Sequence, residues 1–280
     1  MDEKNLNSKY PIIKFGWIDG LVLLGGMILG AVLLATISAA FLLTTGLNLE
    51  MNPWFLACMN IIPLTCAIVL FDFAIVRPKY KKPLNFNFSS TNFYTYLLIF
   101  PMMFGMMMIS EYFTNFIPTT GPILGEMFER VNNVFTGLTN DWYLMFIMAV
   151  VAAPLLEEII FRGIIQKGLI NGGMDYRKAI LVASFLFGVV HGNPWQFLGA
   201  LLMGMVLGFT YHKTKTLLVP ILLHAFNNGI SFLLTYYDKD DSFADLFGFP
   251  DYIILLIGLV VFGVFYYLFT RKYKVHYSEL

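Results

Sequence analysis

Charge is what this chain has least of. Only 13% of its 280 residues are Asp, Glu, Lys or Arg, and the 18 basic and 18 acidic side chains cancel to a formal net charge of zero. A soluble globular domain carries roughly 25% charged residues, so the composition rules out an ordinary cytosolic enzyme. So little charge can neither solvate an open chain nor neutralise phosphates, which sets aside disorder and nucleic-acid binding. Cysteine is nearly absent as well. Cys58 and Cys66 lie in one apolar stretch, which leaves no disulfide framework and no cysteine-based zinc knuckle. The polar first sixteen residues hold no short apolar core ahead of a small-residue cleavage site, so no cleaved leader is expected.

What is abundant is apolar surface, at 58% of residues. A bilayer core about 30 Å thick needs roughly 20 consecutive apolar residues in a helix. Charge-free runs predict eight transmembrane helices near 18–46, 54–76, 93–113, 142–168, 176–192, 195–212, 216–237 and 251–270, with the fifth and sixth forming a hairpin broken at Gly192-Asn193-Pro194. The expected fold class is therefore all-α, a polytopic membrane helix bundle. Residues 1–280 read as a single membrane domain without internal repeats, low-complexity tracts or a soluble module.

The positive-inside rule supports this threading, because an error of one helix would scramble the charge asymmetry of every later loop. Lys4, Lys9, Lys14, Arg77, Lys79, Lys81, Lys82, Lys167, Arg177, Lys178, Lys213, Lys215, Arg271, Lys272 and Lys274 all fall on one side, which is then cytoplasmic. The opposite loops carry Glu50, then Glu126 and Glu129 beside Arg130, then Asp238, Asp240, Asp241 and Asp245 beside Lys239. Both termini are expected in the cytoplasm. Between spans three and four, Leu124, Met127, Phe128, Val131, Val134, Phe135 and Leu138 follow helical spacing, which fits either an amphipathic helix on the outer leaflet or a packed loop helix. Gly26 and Gly30, and Gly204 and Gly208, stand four apart and read as close helix packing.

Ionisable groups within a bilayer are costly, about 2.5–3.5 kcal/mol each on insertion scales, so each one raises a functional question. Asp19, Asp72 and Glu111 lie near span ends and read as structural or solvated. The remaining set is different. Span four holds Glu157, Glu158 and Arg162; Glu158 and Arg162 are one turn apart and can pair, while Glu157 is turned about 100° away. Two carboxylates with one cation leave one uncompensated, a candidate proton acceptor or donor. Pro154, close by, removes a backbone hydrogen bond and is a site for a kink. Span five places Phe187 four residues before His191, and span seven places His224 four before Asn228. Counting ~1.5 Å per residue from the cytoplasmic ends puts Glu157 about 16 Å deep, His224 about 12 Å and His191 about 20 Å, similar depths on three helices, as a shared wet cavity requires.

At these residues the sequence resembles the CAAX prenyl endopeptidase and bacteriocin-processing family of intramembrane proteases, CPBP, also called Abi. The family's motifs Glu-Glu-x-x-x-Arg, Phe-x-x-x-His and His-x-x-x-Asn/Asp are matched in order by Glu157, Glu158 and Arg162, by Phe187 and His191, and by His224 and Asn228. The likeness covers about residues 140–235, the expected catalytic core; spans one to three and eight carry no motif.

The resemblance implies an intramembrane endopeptidase in which Glu157 and His191 hold and deprotonate a water, and His224 and Asn228 donate to the oxyanion. It further implies that Arg162 keeps Glu158 ionised and that Phe187 orients His191. Glu157, His191 and His224 would also serve as zinc ligands, three plus water being a catalytic zinc set. The metal-free version is preferred, because His224 and Asn228 share a helix face as donors. The family's range includes trimming of prenylated CAAX proteins, peptide maturation and bacteriocin self-protection. The expected partners are the lipid bilayer and a peptide or membrane-associated protein substrate, with no nucleic acid, and the expected location is a bacterial plasma membrane. Two other readings stand beside this one: a proton-coupled transporter, although no repeated pair of interrupted helices is present, and a non-enzymatic scaffold or immunity protein.

Overall fold

Within lipid a backbone satisfies its own N–H and C=O groups only as a helix or a closed barrel. The chain takes the first route. The computed structural model describes residues 10–49, 52–139, 141–237 and 242–272, and among the described residues helices follow one another without a strand. They are α1 (Trp17–Thr45), α2 (Pro53–Tyr80), α3 (Phe93–Thr114), α4 (Leu124–Thr139), α5 (Trp142–Asn171), α6 (Tyr176–Val189), α7 (Pro194–Thr214), α8 (Leu218–Tyr237), α9 (Phe243–Phe247) and α10 (Asp251–Tyr267).

Helices α1, α2, α3, α5, α8 and α10 are long and apolar enough to cross a membrane, which makes this a multi-pass membrane protein. That gives six such helices among the described residues where eight were expected. Helices do stand at the other two positions. However, α6 has 14 residues, about 21 Å at 1.5 Å per residue, and α7 carries Gln196, Thr210, His212 and Lys213 along its length. Of the charges used to orient the loops, Lys4, Lys9, Glu50, Asp238, Lys239, Asp240, Asp241 and Lys274 lie outside the described residues, as do the side chains of Lys272, Val134, Phe135 and Leu138.

The chain folds as two compact units, Met1–Phe86 with Asn133–Asp175, and Asn87–Asn132 with Tyr176–Glu279. In the first, α1 lies against α2 at the expected glycines. A Cβ on Gly26 would stand 2.5 Å from the Ala67 Cα, and one on Gly30 2.7 Å from the Pro63 Cα. The outward side of α1 exposes Leu21, Leu24, Ile28 and Val32, an apolar surface suited to lipid. The segment before α1 is tied to the end of α5, where Phe15 N donates to Gly168 O at 3.0 Å and Asn171 Nδ2 to Ile13 O at 2.8 Å. Helix α5 is wound in alternating pieces, with π-helical turns at Ile147–Ala152 and Ile159–Gln166 on either side of the α-helical Ala153–Glu158. The first wide turn ends at Ala152, two residues before Pro154, whose ring and missing N–H disfavour a regular α-turn.

In the second unit α3 packs against α7, α8 and α10. Its buried Ile99, Met102 and Met103 join Leu207, Val219 and Leu223 in one core. Gly105 and Gly258 face each other so closely that a Cβ on Gly105 would stand 2.8 Å from Gly258 O. Helices α6 and α7 meet where a Cβ on Gly204 would lie 3.0 Å from the Ser184 Cβ. Phe128 of α4 meets Trp195 edge-on, centroids 5.2 Å apart, which favours the packed-loop reading of that helix.

The three acidic residues near span ends are structural. Asp19 Oδ2 accepts from Gly16 N at 2.7 Å and caps α1. Asp72 accepts from Arg77 Nε and from Leu84 N, each at 2.7 Å. Glu111 Oε1 accepts from Phe243 N at 2.9 Å, at the start of α9.

Candidate active site

The acidic motif belongs to the first unit. Glu158 ends the α-helical piece of α5, and Arg162 lies in the π-helical turn that follows. Their four-residue spacing still brings them together: Arg162 Nη1 donates to Glu158 Oε1 at 2.7 Å, with neither side chain exposed. Gln166, four residues further on, is equally buried. It extends the same polar row and was not singled out from the sequence, although its i, i+4 spacing from Arg162 is visible there. Glu157 is only half-buried, consistent with its pointing away from the pair. A buried, hydrogen-bonded ion pair holds its helix face rigidly.

The histidine motifs belong to the second unit and are built around one phenyl ring. Phe187, on α6, is buried. Its ring meets the His191 imidazole perpendicularly with centroids 5.0 Å apart, and the His224 imidazole of α8 at 5.5 Å and 85°. Phe187 thus holds both rings where the sequence reading gave it only His191.

His191 itself is not on the helix. Regular winding of α6 stops at Val189; the next turn tightens, with His191 N bonding Gly188 O and Gly192 N bonding Val189 O, and Gly192 reverses the chain at φ +70°. His191 therefore sits in the α6–α7 turn, and the expected fifth span to residue 192 is shorter. The cause is local: Gly192 is at ease in the left-handed region, and Asn193 caps α7 by accepting from Gln196 N at 2.9 Å.

The turn also fixes the tautomer of His191. Its Nδ1 stands 2.7 Å from Phe187 O, and a carbonyl oxygen only accepts, so the contact puts the proton on Nδ1 and the lone pair on Nε2. That is the form a general base or a metal ligand takes. On α8, Asn227 Nδ2 donates to Asn228 Oδ1 at 2.9 Å, which leaves Nδ2 as the donor end of the Asn228 amide. Asn227, nearly buried, was not among the residues picked out from the sequence; two consecutive asparagines beside a membrane histidine were the available signal. His224 is buried and Asn228 half-buried.

The structure thus joins Glu158 to Arg162, gathers Phe187, His191 and His224, and pairs Asn227 with Asn228. Glu157 stands in the first unit and the histidines in the second. No group of three or more His, Cys, Asp or Glu able to hold a metal ion occurs among the described residues.

Comparison with known proteins supports the resemblance carried by these residues. Residues 139–230 match the family model described as type II CAAX prenyl endopeptidase Rce1-like. The match bears out the resemblance read from the three motifs and contains every motif residue. The chain is 39% identical over 85 residues to a putative membrane peptidase, YdiL, of Bacillus subtilis, covering 30% of this chain and 34% of that protein. It is 31% identical over 144 residues to the UPF0177 protein YaiF of Lactococcus lactis, covering 49% and 62% respectively. It is 35% identical over 85 residues to the membrane-embedded CAAX protease MroQ of Staphylococcus aureus, covering 28% and 34%. The matched segments therefore span between about a third and three-fifths of these relatives. No solved structure matches the chain.

Proposed function

We propose that this protein is an intramembrane endopeptidase of the bacterial cell membrane. The observation that carries the proposal is that all three Rce1-like motifs occur in order, on α5, α6 with its following turn, and α8, inside the matched segment. The Nδ1-protonated state of His191 supports it, because that state leaves Nε2 basic.

In this reading Glu157 and His191 together take a proton from water as its oxygen attacks the scissile carbonyl carbon. The carbonyl π electrons move to oxygen, and His224 and Asn228 donate hydrogen bonds to the resulting oxyanion. The acquired proton passes to the amide nitrogen, the oxyanion re-forms the carbonyl as the C–N bond breaks, and a carboxylic acid and an amine leave. Glu158, hydrogen-bonded to Arg162, holds the helix that presents Glu157. Phe187 orients both imidazoles. Acid–base groups and oxyanion donors suffice for every step, so no metal is invoked.

The substrate we assign is a peptide or a membrane-associated protein cut near the cytoplasmic leaflet, in the maturation of a peptide or in self-protection against one. The test compares membrane and secreted peptides of a deletion strain with those of a strain carrying Glu157→Gln. The same uncut species should accumulate in both. A Glu157→Gln strain with a wild-type peptide pattern, the variant being present and folded, would refute the assignment.

A further inference from the structure

A second cluster of ionisable residues takes no part in the chemistry above. It lies in the second unit, where α6 begins and α7 ends. Tyr176 is at its centre: the His212 ring stacks on it with centroids 4.2 Å apart and planes 5° from parallel. The Arg177 guanidinium carbon lies 5.5 Å from the same ring's centroid, and Arg177 Nε donates to the Tyr176 hydroxyl at 3.1 Å. From the other side of the imidazole, Lys215 Nζ stands 3.3 Å from His212 Nδ1. An ammonium only donates, so Nδ1 accepts, the ring proton is on Nε2, and His212 is neutral. Lys213 rests its ammonium 5.6 Å from the Phe209 ring, with its charge felt by Lys215.

The sequence around this ring is one-sided. Residues 175–178 and 211–217 together hold Arg177, Lys178, Lys213 and Lys215 against one acid, Asp175. Lys215 is half-buried, with its backbone in the left-handed region at φ +57° and its ammonium held against His212 Nδ1. Burial, and then the neighbouring charge of Lys213, push this ammonium below the ordinary lysine range. Like charges held this close repel, and an anion offering several acceptor oxygens offsets that repulsion at one stroke.

The position selects the anion. By the charge pattern of the sequence, the loops that carry this cluster are expected to face the cytoplasm at the depth of lipid headgroups, where the inner leaflet is anionic. The Lys213 ammonium lies over the Phe209 ring, a charge set against an apolar surface as at a headgroup boundary. We infer that Arg177, His212, Lys213 and Lys215, arranged around Tyr176, form a binding site for the phosphate of an anionic phospholipid. The stacked rings of Tyr176 and His212 brace the site, and the three cations surround them.

The experiment uses the full chain, purified in detergent and offered mixtures of phosphatidylglycerol and phosphatidylcholine, with retained lipid read by native mass spectrometry. The wild type should retain phosphatidylglycerol preferentially. Arg177→Gln, Lys213→Gln and Lys215→Gln should each weaken that preference roughly fivefold, the worth of one cation near an anionic surface. A Lys213→Arg and Lys215→Arg double variant should keep the preference, which also shows that the fold tolerates change here. A Lys79→Gln and Lys82→Gln double variant, which removes two cations around the end of α2, should keep it too. The site is refuted if the glutamine variants retain the lipid as the wild type does, or if the Lys79 and Lys82 variant loses it equally. Equal stabilisation of the protein by inorganic phosphate alone would also overturn it.

Discussion

Arg162 donates through Nη1 to Glu158 Oε1 at 2.7 Å in the interior of α5, and both side chains are fully buried. A buried pair of this kind is destabilising to break because the remaining charge loses its partner, with a typical cost of about 3–5 kcal/mol. Arg162→Leu should therefore lower thermal stability sharply. Adding Glu158→Leu should recover most of the loss, since two apolar side chains replace two charges. Melting curves in one detergent decide it: a double variant no more stable than the single one contradicts this account of the pair.

Phe187 touches both imidazoles, so its removal acts in two ways. Phe187→Ala opens a cavity and should cost about 3–5 kcal/mol. Phe187→Leu keeps much of the volume but not the flat ring edges, and should lower catalytic turnover far more than stability. The paired measurement is a melting temperature and a cleavage rate. Loss of activity no larger than the stability change explains would reduce Phe187 to a packing residue.

The close approach of α1 to α2 predicts intolerance at two glycines. A Cβ on Gly26 or Gly30 meets backbone atoms of α2 at 2.5 and 2.7 Å, and backbone cannot rotate out of the way. Gly26→Ala and Gly30→Ala should each destabilise by about 1–3 kcal/mol, whereas Gly25→Ala, with nothing near its added methyl, should be silent or mildly stabilising. Melting temperatures of the three variants, taken in one detergent, check the ranking.

Lys215 gives a prediction whose sign depends on the lipid. A lysine whose folded value lies below its ordinary 10.5 binds fewer protons folded than unfolded between those two values. Stability then rises with pH across that window, and the charged lysine is a burden below it. In phosphatidylcholine, Lys215→Gln should raise the melting temperature at neutral pH, with the gain vanishing once pH passes 10.5. In phosphatidylglycerol the same substitution should lower it. A shift of the same sign in both lipids would contradict the phosphate site.

The positions of the helices and the three motifs were legible because apolar runs and four-residue spacings are local properties. Asp19, Asp72 and Glu111 read as structural or solvated from their places near span ends, and each accepts a backbone hydrogen bond. The Gly26 and Gly30 contact was legible for the same reason, two small residues one turn apart. Gly105 and Gly258 were not, since each stands alone in its helix and their meeting is a tertiary fact. His191 was carried one turn too far along a helix because the apolar run continues to Val190, while the break depends on Gly192 and the Asn193 cap. The π-helical turns of α5 leave no mark in the periodicity beyond Pro154. Asn227 and Gln166 were passed over because neither belongs to a motif, although each touches or extends one.

The most direct test of the central claim is the rate of peptide-bond cleavage by purified, reconstituted protein carrying Glu157→Gln, His191→Gln or both, on the peptide that accumulates in the deletion strain. Residues that share one proton transfer are not additive. Each single variant should fall by about 10²–10⁴-fold, the usual worth of an acid–base group, and the double variant should fall little further than the slower single one. Cleavage by folded Glu157→Gln at the wild-type rate would contradict the hydrolytic account.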